Sequence, residues 1–184
     1  MGREISKNGI PKGLHPLTIG LSGYGNVSKG AQSILDLLPI KSITPAQLRE
    51  GLNPDEMDNH FLYKTVFKEQ DMVTPIEGVF GLQDYYDHPE KYKSIFNDYL
   101  PELKILLNCV YWTEQYPRII TRKNLENLAA KENNRGLQVI GDIRCDINGS
   151  IEITRESTMP DNACYTYFAE KDDFENGIQK SGCT

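Results

Sequence analysis

Leu17-Thr18-Ile19-Gly20-Leu21-Ser22-Gly23-Tyr24-Gly25-Asn26-Val27-Ser28 is the stretch on which the reading turns. Its first half, residues 17–22, is an apolar run bounded by Pro16 and Gly23, the pattern of a buried strand. Beyond the glycines, Val27, Ala31, Ile34, Leu35 and Leu38 recur at helical spacing up to Pro39, which predicts a helix over 27–38 with one apolar face. Gly23-x-Gly25-x-x-Ser28 thus lies where a dinucleotide-binding turn needs it, after a strand and at the opening of a helix. The first glycine permits the tight turn, the second lets a pyrophosphate approach the backbone, and the helix N-terminus supplies free N–H groups. Ser28 stands where a third glycine or an alanine is common. A purely structural glycine turn is the alternative reading.

Outward from this turn the chain alternates. Residues 40–44 form a β-like stretch that reads as the second, parallel strand of a βαβ unit, followed by a helical turn over 45–52 and a short third strand over 63–67. Tyr, Asp, Lys and Glu fill 85–100, which reads as a solvated helix stopping before Pro101. Residues 103–111 return to a continuous apolar run, the mark of a strand covered on both faces. A helix over 119–130 has Thr121 as its N-cap and Leu125, Leu128 and Ala129 inside, and a strand follows over 137–143. From Ser150 onward, short β-like pieces alternate with polar turns. The expected fold is a single α/β domain of doubly wound, mostly parallel Rossmann type, with helices on both faces.

At 184 residues the chain can bury a full core without disulfides or metal. Its net charge of -6 argues against nucleic acid or an anionic membrane surface as the main partner. Cys109, Cys145, Cys164 and Cys183 are widely spaced with no His cluster, so no zinc site is expected and the thiols read as reduced. No apolar run is long enough to span a bilayer, and the first residues lack the apolar core of a signal peptide. The expected location is cytoplasmic, or mitochondrial in a eukaryotic host. Both ends read as compatible with excision from a longer enzyme, and a homo-oligomer is left open.

About twenty residues beyond the first glycine, an NAD site offers a carboxylate to the ribose, whereas this chain has Ile43 and Thr44 there. With Lys41 and Arg49 nearby, this tilts the expectation from NAD(H) towards NADP(H); ordinary surface charges are an equal alternative. Asn108 falls at the end of an inner strand, where ligands of this fold gather. The candidate cofactor contacts are Gly23, Gly25, Asn26, Val27, Ser28, Thr44, Asn108, Cys109, Asp142 and Ile143. Asp142 also reads as a turn or hydrogen-bonding residue, and Arg144 as a partner either of a substrate carboxylate or of Asp142 or Asp146. His88 reads as a helix-start residue, and Tyr111 and Trp112 as packing or domain-contact residues.

Two further stretches resemble the cofactor domain of the alanine dehydrogenase and transhydrogenase superfamily: Asn108-Cys109-Val110-Tyr111-Trp112 with Tyr116-Pro117-Arg118-Ile119-Ile120-Thr121-Arg122, and Gly141-Asp142-Ile143-Arg144-Cys145-Asp146-Ile147-Asn148-Gly149. In the second, Asn148 replaces the first glycine of a pair, which a left-handed backbone would accommodate. Gly25-Asn26-Val27-Ser28-Lys29-Gly30-Ala31-Gln32, Asp87-His88-Pro89-Glu90-Lys91-Tyr92 and Gly149-Ser150-Ile151-Glu152 are similar to the lysine-ketoglutarate reductase part of the saccharopine-forming enzymes. That resemblance implies a nicotinamide cofactor and reductive condensation of lysine with 2-oxoglutarate. It also implies a separate domain for the amino-acid substrate, so that the isolated chain binds cofactor with little turnover. It places Asp146 where alanine dehydrogenases carry an active-site aspartate, as the candidate catalytic residue; a turn-capping Asp is the alternative. An alanine dehydrogenase-like domain and a non-catalytic NAD(P)-sensing module remain alternatives.

Overall fold

The computed structural model describes residues 1–131 and 136–179; Cys183 and the ending Ser181-Gly182-Cys183-Thr184 lie outside them. The elements run α1 (Gly2–Asn8), β1 (Thr18–Ser22), α2 (Asn26–Leu35), β2 (Ile40–Ser42), α3 (Pro45–Glu50), β3 (Leu62–Phe67), α4 (Glu69–Met72), β4 (Val73–Pro75) and α5 (Leu82–Asp87). They continue with β5 (Tyr92–Ser94), β6 (Ile105–Asn108), α6 (Arg122–Ala129), β7 (Val139–Asp142), β8 (Tyr165–Phe168) and β9 (Asp173–Asn176). Five strands form one parallel sheet in the order β2-β3-β1-β6-β7. The small antiparallel pairs β4-β5 and β8-β9 flank it.

Alternating side chains give the sheet two apolar faces. One carries Ile19, Leu62, Ile105 and Leu107 against Ile5 of α1 and Leu35 of α2. The other carries Phe67, Leu103 and Leu106 against Leu48 of α3 and Leu125 and Leu128 of α6. Helices cover both faces, and the fold is Rossmann-like. Thr121 caps α6 as its sequence predicts: its hydroxyl accepts from Asn124 N at 3.2 Å while Asn124 Oδ1 accepts from Thr121 N at 2.9 Å. Thr121→Ala is expected to cost about 1 kcal/mol, read from the urea midpoint; an unchanged midpoint would show the cap to be energetically idle.

Three expectations need correction. β2 does not lie beside β1; β3 takes that place, and β2 pairs with β3 at the edge. Burial explains the exchange. β2 has three residues, with Lys41 and Ser42 exposed, whereas five of the six β3 residues are buried. Lys64 joins that interior by burying its stem and donating from Nζ to Asp36 Oδ1 at 2.6 Å.

The second correction concerns 85–100, which is not one helix. His88 ends α5, Pro89 opens a tight turn, and β5 and a second tight turn follow. Its charges face water, but Tyr85, Tyr92, Phe96 and Tyr99 are buried in the main core. The third lies in α2, which ends at Leu35 and whose inner face runs through Ser28, Ala31 and Leu35, with Leu38 packing from the turn beyond it, while Val27 and Ile34 are exposed.

Candidate functional site

The chain leaves β1 towards β2 and β3 on one side and later fills β6 and β7 on the other. At this reversal, beyond the carboxyl ends of the strands, the sheet opens into a cleft of about 480 Å³, where open α/β sheets bind their ligands. The glycine turn forms its floor. Gly23 has φ +83°, and its N–H donates to the Phe67 carbonyl at 2.9 Å, tying the turn to the end of β3. A Cβ on Gly23 would meet Val110 Cγ1 at 3.0 Å, so this position is set by conformation and by space. Gly25 precedes α2 in an extended conformation, with no side chain to occupy the first-turn amides and open space where a Cβ would project. A phosphate group fits that floor.

The walls come from the strand ends. Glu69, Met72, Tyr85 and Tyr86 stand on the β3 side, Cys109 to Trp112 follow β6, and Arg144 follows β7. Tyr86 donates to Glu69 Oε1 at 2.8 Å. Burial, then this hydrogen bond to the carboxylate, pushes the Tyr86 phenol well up, and the Glu69 charge, more than burial, raises Tyr24. Burial pushes Tyr85 up to about 12. All three phenols are therefore neutral hydrogen-bonding groups at neutral pH. Burial likewise raises the Cys109 thiol, with Asp142 adding to it, so Cys109 is an apolar wall and not a thiolate. Trp112 is fixed by donating to the Tyr116 carbonyl at 3.1 Å, and Arg118 lies 5.6 Å from its ring centre. Arg144 lies over the Tyr111 ring at 5.0 Å.

The cleft brings together Gly23, Gly25, Asn26, Val27 and Cys109. The other candidates lie elsewhere. Ser28 is fully buried under the turn and accepts from Gln32 Nε2 at 3.2 Å. Thr44 caps α3 at the far edge of the sheet, accepting from Gln47 N at 3.2 Å. Lys41 pairs with Asp58 and Arg49 with Asp98, both outside the cleft lining.

Asn108 is fully buried, and its side chain points below the cleft into a polar network. It donates to Asp142 Oδ1 and Ser150 Oγ, each at 2.8 Å, and accepts from Ser22 Oγ at 2.8 Å. Asp142 also accepts from Thr154 Oγ1 at 2.5 Å and from Cys145 N at 3.2 Å. Its carboxylate thereby ties the loop after β7 to the sheet. Asp142 and Ile143 line a second cavity, about 590 Å³, between β7 and the C-terminal hairpin. Asp146 has one buried oxygen, Oδ2, without a hydrogen bond, 3.7 Å from Arg144 Nε, so it meets the cleft through Arg144. Asn148 has φ 51°, the left-handed backbone that its replacement of glycine requires.

Glu69 lines the cleft and is not among the residues the sequence singled out; the position about twenty residues beyond the first glycine holds Ile43 and Thr44. The edge strand β2 and α3 are inserted ahead of β3, which delays the strand beside β1 to 62–67. A Glu two residues beyond an apolar strand was the available signal.

The sheet order, the glycine turn and the cleft at the reversal define a Rossmann-like α/β domain with a cleft where open α/β sheets bind ligands. No protein-family model matches the chain. It is 33% identical to the alpha-aminoadipic semialdehyde synthase of Arabidopsis thaliana over 99% of its own length. It is 32% identical to the mitochondrial alpha-aminoadipic semialdehyde synthase of Mus musculus and 33% identical to that of Bos taurus, each over 98%. The chain belongs to the alpha-aminoadipic semialdehyde synthase family. It spans about a fifth of the length of these curated relatives, 18% of the plant protein and 21% of the mammalian ones. The relatives are enzymes by name, and the chain corresponds to one segment of them. Among the described residues, no helix is long and apolar enough to cross a membrane.

Proposed function

We propose that this chain is the nicotinamide-cofactor-binding domain of an oxidoreductase that condenses lysine with 2-oxoglutarate to saccharopine. The observation that carries the reading is the open Gly25 position at the mouth of α2, at the reversal of a Rossmann-like sheet. Family membership supports the reaction class. The bound cofactor supplies the hydride.

The chain's own residues bind and orient. The turn from Gly23 to Val27 and the α2 amides take the pyrophosphate, and the apolar wall of Cys109, Val110 and Trp112 excludes water beside the nicotinamide. Arg144, held on Tyr111 and near Asp146, stands at the same end and suits a substrate carboxylate. Asp146 acts as a positioning residue for Arg144. Tyr24, Val27, Tyr86 and Tyr111 leave an exposed apolar rim around the cleft, which suits closure by a separate substrate domain.

Calorimetric titration of the chain with NADH and NADPH tests the assignment. Saturable binding of at least one cofactor is expected, and Gly25→Val should abolish it by filling the pyrophosphate path. Absence of binding by the native chain, or full binding by the variant, would refute the reading.

A further inference from the structure

We infer that the cavity beside β7 is the seat of a further strand, an extended segment with apolar residues at alternate positions and no carboxylate, supplied by the rest of the longer enzyme. The inference rests on reading the chain as one domain of that enzyme, and not on what the cleft binds. β7 stands at the outer side of the parallel sheet and pairs with β6 alone among the described residues. Val139 N and Ile143 N donate to the carbonyls of Lys104 and Asn108, at 3.1 and 3.2 Å. The N–H and C=O of one strand residue point to the same side, and the side alternates along the strand. Those of Ile140 and Asp142 therefore point away from β6, towards the cavity that both residues line. Such a row of open backbone groups is a template for another strand.

The two edges of the sheet are built differently. β2 has three residues, follows Pro39 and exposes Lys41 at its centre, features that discourage further pairing. The β7 edge, Gln138 to Ile143, has no lysine and no proline. Val139 and Ile143 on it are half exposed, at 52% and 50%. The cavity of about 590 Å³ is lined by Ile140, Ile151, Ile153 and the exposed Ile178 as well. An extended segment supplies the missing backbone partners and sets every second side chain on that apolar lining. The charged residues of the lining, Asp142 and Glu156, are both acidic. They turn away an acidic segment, and equally a second copy of this edge, which would bring the same two carboxylates. The chain spans about a fifth of the length of its relatives, which leaves polypeptide of the same enzyme to fill the seat.

The probe is the capped hexapeptide valine-threonine-valine-lysine-valine-threonine, and the readout is amide hydrogen exchange at Ile140 and Asp142 by NMR. Both amides are expected to exchange freely in the chain alone and to slow at least about tenfold with saturating peptide. Glutamate in place of the peptide's lysine should weaken binding several-fold. Ala163 is an exposed residue of the lining, so Ala163→Trp should fill the groove and abolish the protection without lowering the thermal midpoint. The same peptide carrying a fluorophore is expected to bind this chain and not the full-length Arabidopsis thaliana relative, in which the seat is already taken. Slow exchange in the peptide-free monomer, or no slowing with peptide, overturns the inference. Protection that accompanies a dimer mass in sedimentation assigns the edge to a second copy, and peptide binding by the full-length relative assigns it to a separate protein; either result overturns it too. None of these results changes the cofactor titration, so failure here and failure of the cofactor-binding reading are told apart.

Discussion

Asn108→Ala is expected to cost about 3 kcal/mol or more in a urea unfolding experiment at neutral pH, the sum over several buried partners at about 1 to 3 kcal/mol each. The substitution removes one side chain from the centre of a network that joins β1, β6, β7 and the following loop. Ser22 Oγ loses its acceptor, and Asp142 Oδ1 and Ser150 Oγ each lose a donor, all at 2.8 Å. Asp142 feels this most, because its charge faces an interior in which Thr154 and Cys145 N are left to compensate. The loss should appear in the midpoint with the slope nearly unchanged. A cost under about 1 kcal/mol would mean that water replaces Asn108 freely, and that the site is not sealed as the structure has it.

Gly20→Val should be comparably damaging for an opposite reason, excess volume. Gly20 sits in the middle of β1, and a Cβ there would come within 2.7 Å of Phe67 Cε2 and 2.8 Å of Leu103 Cδ1. Both side chains are fully buried, and Phe67 is packed against Phe96 and Tyr99 at ring-centre distances of 4.8 and 4.7 Å. The valine methyls add to that overlap, and the expected cost is about 3 kcal/mol. Gly20→Ala is expected to lose about half as much, since it places one methyl where the valine places three carbons. Native-like stability in the valine variant would show that Leu103 rotates away without loss, and would remove close packing as the reason for a glycine inside this strand.

The two substitutions mark where local pattern stops being informative. Gly20 lies in a strand that any reading of residues 17–22 finds, yet nothing nearby in sequence announces Phe67 or Leu103 as its neighbours. Asn108 was read correctly as a strand end, but the direction of its side chain was not legible: Ser22 and Ser150 lie 86 and 42 residues away. The same holds for 85–100. Its charges suggested a wet helix, whereas Tyr85, Tyr92, Phe96 and Tyr99 turn inward once Pro89 breaks the helix.

What the sequence by itself determined was each local decision: the β1 strand, the glycine turn, the opening of α2, the Thr121 cap and the family. Each rests on residues within a turn or two of one another, where propensity, capping and glycine conformation act. Only the tertiary structure decided which strand lies beside β1, and with it which side chains line the cleft at the reversal. Strand order follows from competition for burial between segments far apart in the chain. β3, with the larger apolar surface, took the inner place and left β2 at the edge, carrying Glu69 into the cleft and leaving Thr44 outside it.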